Sequence, residues 1–229
     1  VWAYDPANRQ GGFYPEYVAV DAKRVGLLPR RLDLIQAGAA AVTGLTALQG
    51  IDDQLKVRRN ETVLIFGATG AVGTLAVQFA KRKGARVIAS ATGRDAQKLV
   101  KRLGADAHFD AHSLDAFQQL RELAPDGIDA ALALAGGDRL EECLSPVRHG
   151  GRTAFPSGVD PEPRKRRGIP VLTYDGEADP THFRRLARAA EEARLRAPIA
   201  AEFPLAQSVK AHQRLAKGHV LGRIVLRIR

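Results

Sequence analysis

Residues 62–92, TVLIFGATGAVGTLAVQFAKRKGARVIASAT, constrain the fold more than any other stretch. Thr62 to Phe66 is a short apolar run rich in β-branched residues and reads as a buried strand. The turn Gly67-Ala68-Thr69-Gly70-Ala71-Val72-Gly73 follows. Val72, Leu75, Ala76, Phe79 and Ala80 then recur at helical spacing, and Gly84 ends the helix. Arg86 to Ser90 is a second apolar run. A strand, glycine turn, helix and strand in this order suit a dinucleotide's pyrophosphate. Gly70 removes the Cβ that blocks backbone approach, Gly73 lets the helix pack on the strand, and the helix N-terminus offers unpaired N–H donors. The match is A-x-G-x-x-G, with Ala68 in place of the fingerprint's first glycine. The competing reading is a tightly packed turn that binds nothing. No Gly-Lys-Ser/Thr ends the turn, so a phosphate loop of the ATPase type is excluded.

The rest of the chain alternates strand and helix. Gly11 to Val20 alternates apolar and polar residues and reads as a strand, with Val25 to Pro29 a connector. Asp33 is a good N-cap for a helix from Leu34 to about Gln49, rich in small residues. Beyond the glycine turn come a helix from Asp95 to Leu103 and a strand from Ala107 to Phe109. Leu114, Phe117 and Leu120 mark a further helix, and Ile128 to Ala135 a strand. Leu140, Cys143 and Leu144 mark the next helix. Strands follow at Gly151 to Phe155 and Ile169 to Tyr174, then a helix from His182 to Leu195. This order predicts an α/β fold, a doubly wound parallel sheet covered on both faces. The tail, Ala200–Pro204, Leu205–Lys217 and Arg223–Ile228, is strand, helix and strand without a glycine turn.

The net charge of +10 raises nucleic-acid binding as a function class. The basic clusters, Arg164-Lys165-Arg166-Arg167, Arg184-Arg185, and Arg223, Arg227 and Arg229, are scattered, and aromatics make up only 6% of the chain. They read as solvated faces, so no nucleic-acid partner is expected. No apolar run approaches the ~18 residues of a membrane span, so no membrane is expected either. The single cysteine, Cys143, sits at leucine spacing and reads as a core thiol. With no visible signal peptide, a cytoplasmic location is the default. The sequence starts at Val1 and contains no methionine, and is expected to be a processed chain or a fragment.

Taken together, GGFYPEYVAV, AAAVTGLTAL, VLIFGATGAVG, LGADAHFD, GIDAALALAGG, GGRTAFPSG and FPLAQSVKAHQRLAKGHVLGRIVLRI resemble the medium-chain dehydrogenase/reductase superfamily. The nearest branch is the zinc-independent, quinone-oxidoreductase-like one, and the blocks run in that family's order. The resemblance implies three parts. Residues 1–33 would be the end of an incomplete GroES-like substrate domain, 34–195 a Rossmann dinucleotide-binding domain, and 196–229 the return to the first domain. It implies hydride transfer between a nicotinamide cofactor and a quinone, enone or carbonyl substrate. Zinc-dependent relatives need cysteine and histidine ligands. Here the usual ligand position before the T-G motif is alanine (Ala39 to Ala41), and His108 and His112 are separated by a helix break, so no metal is expected.

Two alternatives stand beside this reading. Residues 67–73 also fit the G-A-T-G-x-x-G of atypical short-chain reductases, although Tyr4, Tyr14, Tyr17 and Tyr174 all lack a lysine four positions on. A non-catalytic nucleotide-sensing module is the second.

The resemblance sets Thr43 beside the nicotinamide ribose. It sets the turn Ala68, Thr69, Gly70, Ala71, Val72 and Gly73 at the pyrophosphate, and Ala135, Gly136, Phe155, Pro156 and Ser157 where the strand ends face the cofactor. No general acid is identified, and the catalytic residues are left unassigned. An NAD site places Asp or Glu at the end of the second strand. Counted from Gly73, that position is Ala91. Ser90, Thr92, Gly93, Arg94 and Lys98 around it suit a 2′-phosphate, so NADP(H) is the expected cofactor. A homodimer through an edge strand near Gly168 to Tyr174 is expected.

Overall fold

The computed structural model describes residues 1–5 and 12–228. In chain order the elements are β1 (Trp2–Ala3), β2 (Val25–Gly26), α1 (Leu34–Gln49), β3 (Thr62–Phe66), α2 (Ala71–Arg82), β4 (Arg86–Ser90), α3 (Arg94–Arg102) and β5 (Ala107–Phe109). Then come α4 (Ala116–Leu123), β6 (Ile128–Ala133), α5 (Asp138–Leu144), β7 (Val147–Pro156), β8 (Val171–Tyr174), α6 (Pro180–Glu192), β9 (Ile199–Pro204), α7 (Ser208–Ala216) and β10 (Arg223–Arg227).

Six strands form one parallel sheet in the order β5-β4-β3-β6-β7-β8. The chain runs outward from β3 through β4 to β5, then returns to the other side of β3 at β6. That reversal leaves a crevice beyond the carboxyl ends of β3 and β6, where open α/β sheets bind ligands. The fold is therefore the expected Rossmann-like arrangement. Val63, Leu64 and Ile65 are all fully buried, because a central parallel strand is covered on both faces and cannot alternate.

One face of the sheet packs on α1, α2, α3 and α6 around Leu45, Phe79 and Leu186. The other packs on α4 and α5 around Phe109, Leu120 and Cys143. β9 and β10 pair parallel in a separate two-stranded sheet, with α7 as the crossover. β1 and β2 pair antiparallel, and Trp2 donates its indole N–H to the Ala37 carbonyl at 2.8 Å.

Several expectations change. Residues 12–20 form turns and bends instead of a strand, and Gly11 lies outside the described residues. Phe13, Tyr14, Tyr17 and Val18 are exposed, and no strand pairs with this segment among the described residues. Alternation makes a strand only where a partner strand takes up its backbone groups. The expected connector at Val25 supplies β2. Leu114 is exposed and precedes α4, which starts only after the turn at Ser113–Asp115. α6 starts two residues before His182, because Asp179 caps it, accepting from the Thr181 and His182 N–H groups at 2.7 Å, with proline at its first position.

A further correction concerns membrane length. Leu34–Gln54, α1 with its π-helical continuation, spans 21 residues at mean hydropathy 1.3, long and apolar enough to cross a membrane. Its leucines, isoleucines, valine and alanines carry that apolarity, with Gln36, Thr43, Thr46 and Gln49 interrupting the run. The segment is mostly buried inside the protein, as a core helix is. Asp33 caps it as expected, with Oδ1 accepting from the Gln36 N–H at 2.7 Å. Arg229, counted in the last basic cluster, lies outside the described residues.

Candidate functional site

The crevice beyond β3 is a cleft of about 610 Å³ lined by the glycine turn, the end of β4, the start of α3 and the segment after β6. Covalent geometry shapes its floor. Gly67 has a φ of +80°, a conformation other L-residues rarely adopt. Its N–H donates to Ser90 Oγ at 2.8 Å, which ties the turn to the end of β4. A Cβ on Gly73 would collide with the Gly67 carbonyl oxygen and stand 2.6 Å from Ala68 Cα. The start of α2 can therefore lie against the turn only if residue 73 is glycine. A Cβ on Gly70 would meet nothing closer than the Gly67 carbonyl oxygen at 3.5 Å. Gly70 is thus not needed for packing, and its bare Cα faces the cleft.

Two helices start at this cleft. α2 is capped by Gly70 and α3 by Gly93, and neither cap carries a side-chain hydrogen bond. The first N–H groups of each helix lack intrahelical partners, and both helix ends carry partial positive charge. The end of β4 is shaped by Asp110, whose Oδ1 accepts from Thr92 Oγ1 at 2.7 Å and from the His112 N–H at 2.9 Å.

Of the residues singled out in the sequence, Thr69, Gly70, Ser90, Thr92, Gly93, Arg94 and Ala135 line this one cleft. Ala71 lines the adjoining one. Ala68 is fully buried beneath the turn, and Val72 packs against the core. Lys98 lies one turn further along α3 and is exposed. Thr43 is buried and donates its hydroxyl to the Ala39 carbonyl at 2.8 Å, within its own helix. Gly136 is held by close packing, because a Cβ there would collide with Pro161. Phe155 is buried, Pro156 half-buried, and the Ser157 hydroxyl bonds to Asp175.

Gly67 and the segment His219-Val220-Leu221 join the lining and were not singled out. The segment reaches the turn because the Gly222 N–H donates to the Thr69 carbonyl at 2.9 Å, in a parallel bridge between Gly70 and Gly222. The Gly67 signal was present: it is the first residue after a buried strand, where a tight reversal requires positive φ. No local pattern marks the other segment, which meets the turn only in the folded chain.

Residues 71–173 match the family described as zinc-binding dehydrogenase. The alcohol dehydrogenase notN of Aspergillus sp. (strain MF297-2) is 29% identical over 233 residues, covering 98% of this chain and 66% of that protein. Human quinone oxidoreductase is 26% identical, covering 94% of this chain and 69% of its own length. A solved NAD-dependent alcohol dehydrogenase superposes with a TM-score of 0.87 at 29% identity, over 95% of this chain and 66% of that one. This chain thus spans about two thirds of the length of these relatives.

Zinc, named in the family's description, finds no matching donor set here. Among the described residues no three His, Cys, Asp or Glu side chains are grouped to hold a metal ion. Cys143 is fully buried, and burial with the neighbouring Glu142 pushes its thiol up to about 12. The sheet order, the glycine-built cleft at its reversal point and the match over residues 71–173 agree, and the chain is similar to the medium-chain dehydrogenase/reductase superfamily.

Proposed function

We propose that this chain is the nucleotide-binding part of an NADP(H)-dependent oxidoreductase acting on a quinone, enone or carbonyl substrate. The observation that carries the reading is the convergence of two side-chain-free helix caps, Gly70 and Gly93, on one cleft at the sheet's reversal point. The unpaired N–H groups at the start of α2 would hold the pyrophosphate, with Gly70 admitting close approach. Thr92 and Arg94, at the mouth of the cleft, would hold the 2′-phosphate. His219 to Leu221 would cover the turn and exclude water. The nicotinamide, when bound, supplies the hydride. The chain's part is to hold and orient it.

Three parts are proposed with this function. Residues 34–195 would form the dinucleotide-binding unit, and 1–33 and 196–229 would belong to a substrate-binding unit. That β9 and β10 pair outside the six-stranded sheet supports the division. β8, paired only with β7 among the described residues, is an open edge that would support a homodimer. Sedimentation showing only monomer would remove that part.

A second reading, NAD(H), draws on Asp95, which shares the cleft, and on Asp110, which stands beside Thr92. Calorimetric titration with NADPH and NADH at fixed salt separates the two. The proposal expects tighter binding of NADPH, and oxidation of bound NADPH by a quinone or enone. Equal affinities would defeat the preference, and binding without oxidation would leave a nucleotide-sensing module.

A further inference from the structure

We propose that Tyr14, His212 and Arg223 form the proton-donating side of a chamber that takes an apolar ketone or enone, with Tyr14 the catalytic acid and His212 its positioning residue. The proposal rests on the hydride-transfer reading above and supplies what that reading lacks, a source for the proton.

Three concavities adjoin in series. The nucleotide cleft shares Gly70 and Val220 with a second cleft of about 350 Å³, on the other side of the turn. This second cleft holds Tyr14, His212 and Arg223. It shares Tyr14, Arg223, Ile224 and Leu226 with a third, of about 460 Å³. The third is walled largely by apolar side chains, among them Trp2, Phe13, Leu34 and Val42. A path from the pyrophosphate turn to an apolar chamber therefore runs past the Tyr14 hydroxyl.

Chemistry-bearing side chains meet at that crossing. The Tyr14 hydroxyl stands 3.1 Å from His212 Nε2, with the ring centroids 5.8 Å apart. The two residues lie 198 positions apart in the chain. Arg223 is half-buried, and no carboxylate lies within salt-bridge distance of it among the described residues. Burial lowers its pKa, and the Tyr14 charge is the influence that opposes this. An unpaired guanidinium lining the cleft favours negative charge on an oxygen bound there. A plain surface contact that docks residues 12–20 on α7 would explain the tyrosine–histidine pair. It gives no reason for an uncompensated cation beside it.

The step balances. Hydride adds to the carbonyl carbon, or to the β-carbon of an enone, and the displaced π pair moves to the oxygen. Arg223 stabilises that oxyanion, and Tyr14 gives it a proton. The phenolate regains a proton from His212, whose exposed imidazole takes one from solvent. A ketone thus becomes an alcohol by one hydride and one proton.

The first test uses the protein without nucleotide. 2,4-Dinitrophenolate serves as an apolar oxyanion probe and 1,3-dinitrobenzene as its neutral control, both by calorimetry. Tyr14→Phe and Arg223→Gln are each expected to weaken the phenolate by about 10-fold or more and to leave the control unchanged. Equal phenolate binding by all three proteins overturns the proposal. The second test uses NADPH and an apolar enone. Tyr14→Phe should bind NADPH as the unmutated protein does and lose about 10²–10⁴-fold in kcat. His212→Gln should lower kcat with KM unchanged and retain a solvent deuterium isotope effect, because the Tyr14 hydroxyl still exchanges with solvent. If the unmutated protein binds and oxidises NADPH and Tyr14→Phe matches it, this proposal alone falls. If the unmutated protein does not bind NADPH, both readings fall.

Discussion

The side-chain amide of Gln78 pairs with the backbone of Arg196 in both directions, donating to its carbonyl and accepting from its N–H, each at 2.8 Å. Gln78 is buried in the middle of α2 and also donates to the Thr74 carbonyl at 2.8 Å. The pair fixes the segment that joins α6 to β9. Gln78→Leu keeps the volume and removes the partner of two part-buried backbone groups on Arg196. A loss of about 1–3 kcal/mol is expected, and a fall in Tm of about 2–4 °C per kcal/mol for a chain of this size. Thermal denaturation followed by circular dichroism measures it. An unchanged Tm would show that water replaces the amide without cost.

Gly73 and Gly70 lie three residues apart, and substitution at each should fail differently. Gly73→Ala puts a methyl group into the Gly67 carbonyl and the Ala68 backbone, so it should destabilise by about 1–3 kcal/mol or more through overpacking. Gly70→Ala has room in the folded chain and should leave Tm nearly unchanged. Its methyl group would stand where a pyrophosphate must approach, so nucleotide affinity should fall at least tenfold. Calorimetry and melting on the two variants separate packing from binding. Normal NADPH affinity in Gly70→Ala would remove this turn from the binding site.

The contrast between these glycines and Gln78 shows what can be read from the chain. β3, the turn, α2 and β4 are legible because parallel strands buried on both faces leave unbroken apolar runs, and because a tight reversal needs glycine at fixed positions. Thr92, Arg94 and the turn are legible as residues of one cleft for the same reason: they sit at fixed offsets from those elements. What was missed depends on distant partners. Gln78 is an ordinary helical residue until Arg196 arrives, 118 positions later. His219 to Leu221 look like a loop until Gly222 bridges to Gly70. Residues 12–20 carry a strand's alternation but find no strand to pair with.

Acid should loosen the junction between β3 and β7. Burial would raise the Glu61 carboxyl, but it is outweighed by hydrogen bonds from Arg152 and the Arg58 N–H and by the Arg152 charge, so its pKa lies below the ordinary 4.5. Arg152 Nη2 stands 2.6 Å from Glu61 Oε2. A carboxyl depressed on folding contributes stability that is complete above its unfolded pKa. That stability is lost as pH falls from about 4.5 through the lower folded value. Glu61→Gln should therefore lower Tm at neutral pH, and the gap to the unmutated protein should shrink as pH drops below about 4.5. Melting curves across this range test the sign. A gap that widens in acid would refute it.

Cys143 should be silent to thiol reagents in the folded protein. It is fully buried in the core beside α4 and β7, and its thiol is pushed up to about 12. Almost none of it is thiolate at neutral pH, and the thiolate is the reactive form. An aromatic disulfide reagent should react only as fast as the chain unfolds, and at full rate in denaturant. Rapid labelling under native conditions would place the thiol in an opened or mobile region.

The proposed preference for NADP(H) turns on Arg94, and its surroundings make the prediction sharp. It is the first residue of α3, follows a glycine cap whose φ is +85°, and lines the cleft together with Thr92. At the end of β4, where an NAD site would place a carboxylate, stands Ala91, buried and without charge. The nearby Asp110 already accepts from Thr92 and His112, so part of its hydrogen-bonding capacity is spent away from a ribose. A 2′-phosphate would gain the Arg94 guanidinium and the positive end of α3 together. A charge-assisted hydrogen bond contributes about 1.5–3 kcal/mol, so Arg94→Ala should weaken NADPH by roughly 10–100-fold. NADH, which lacks the phosphate, should change by less than about twofold. Asp110→Asn gives the opposite control: it removes a negative charge beside Thr92, so NADPH should tighten and NADH should not. If Arg94→Ala weakens both cofactors equally, the arginine acts on the nucleotide as a whole and the 2′-phosphate assignment is wrong.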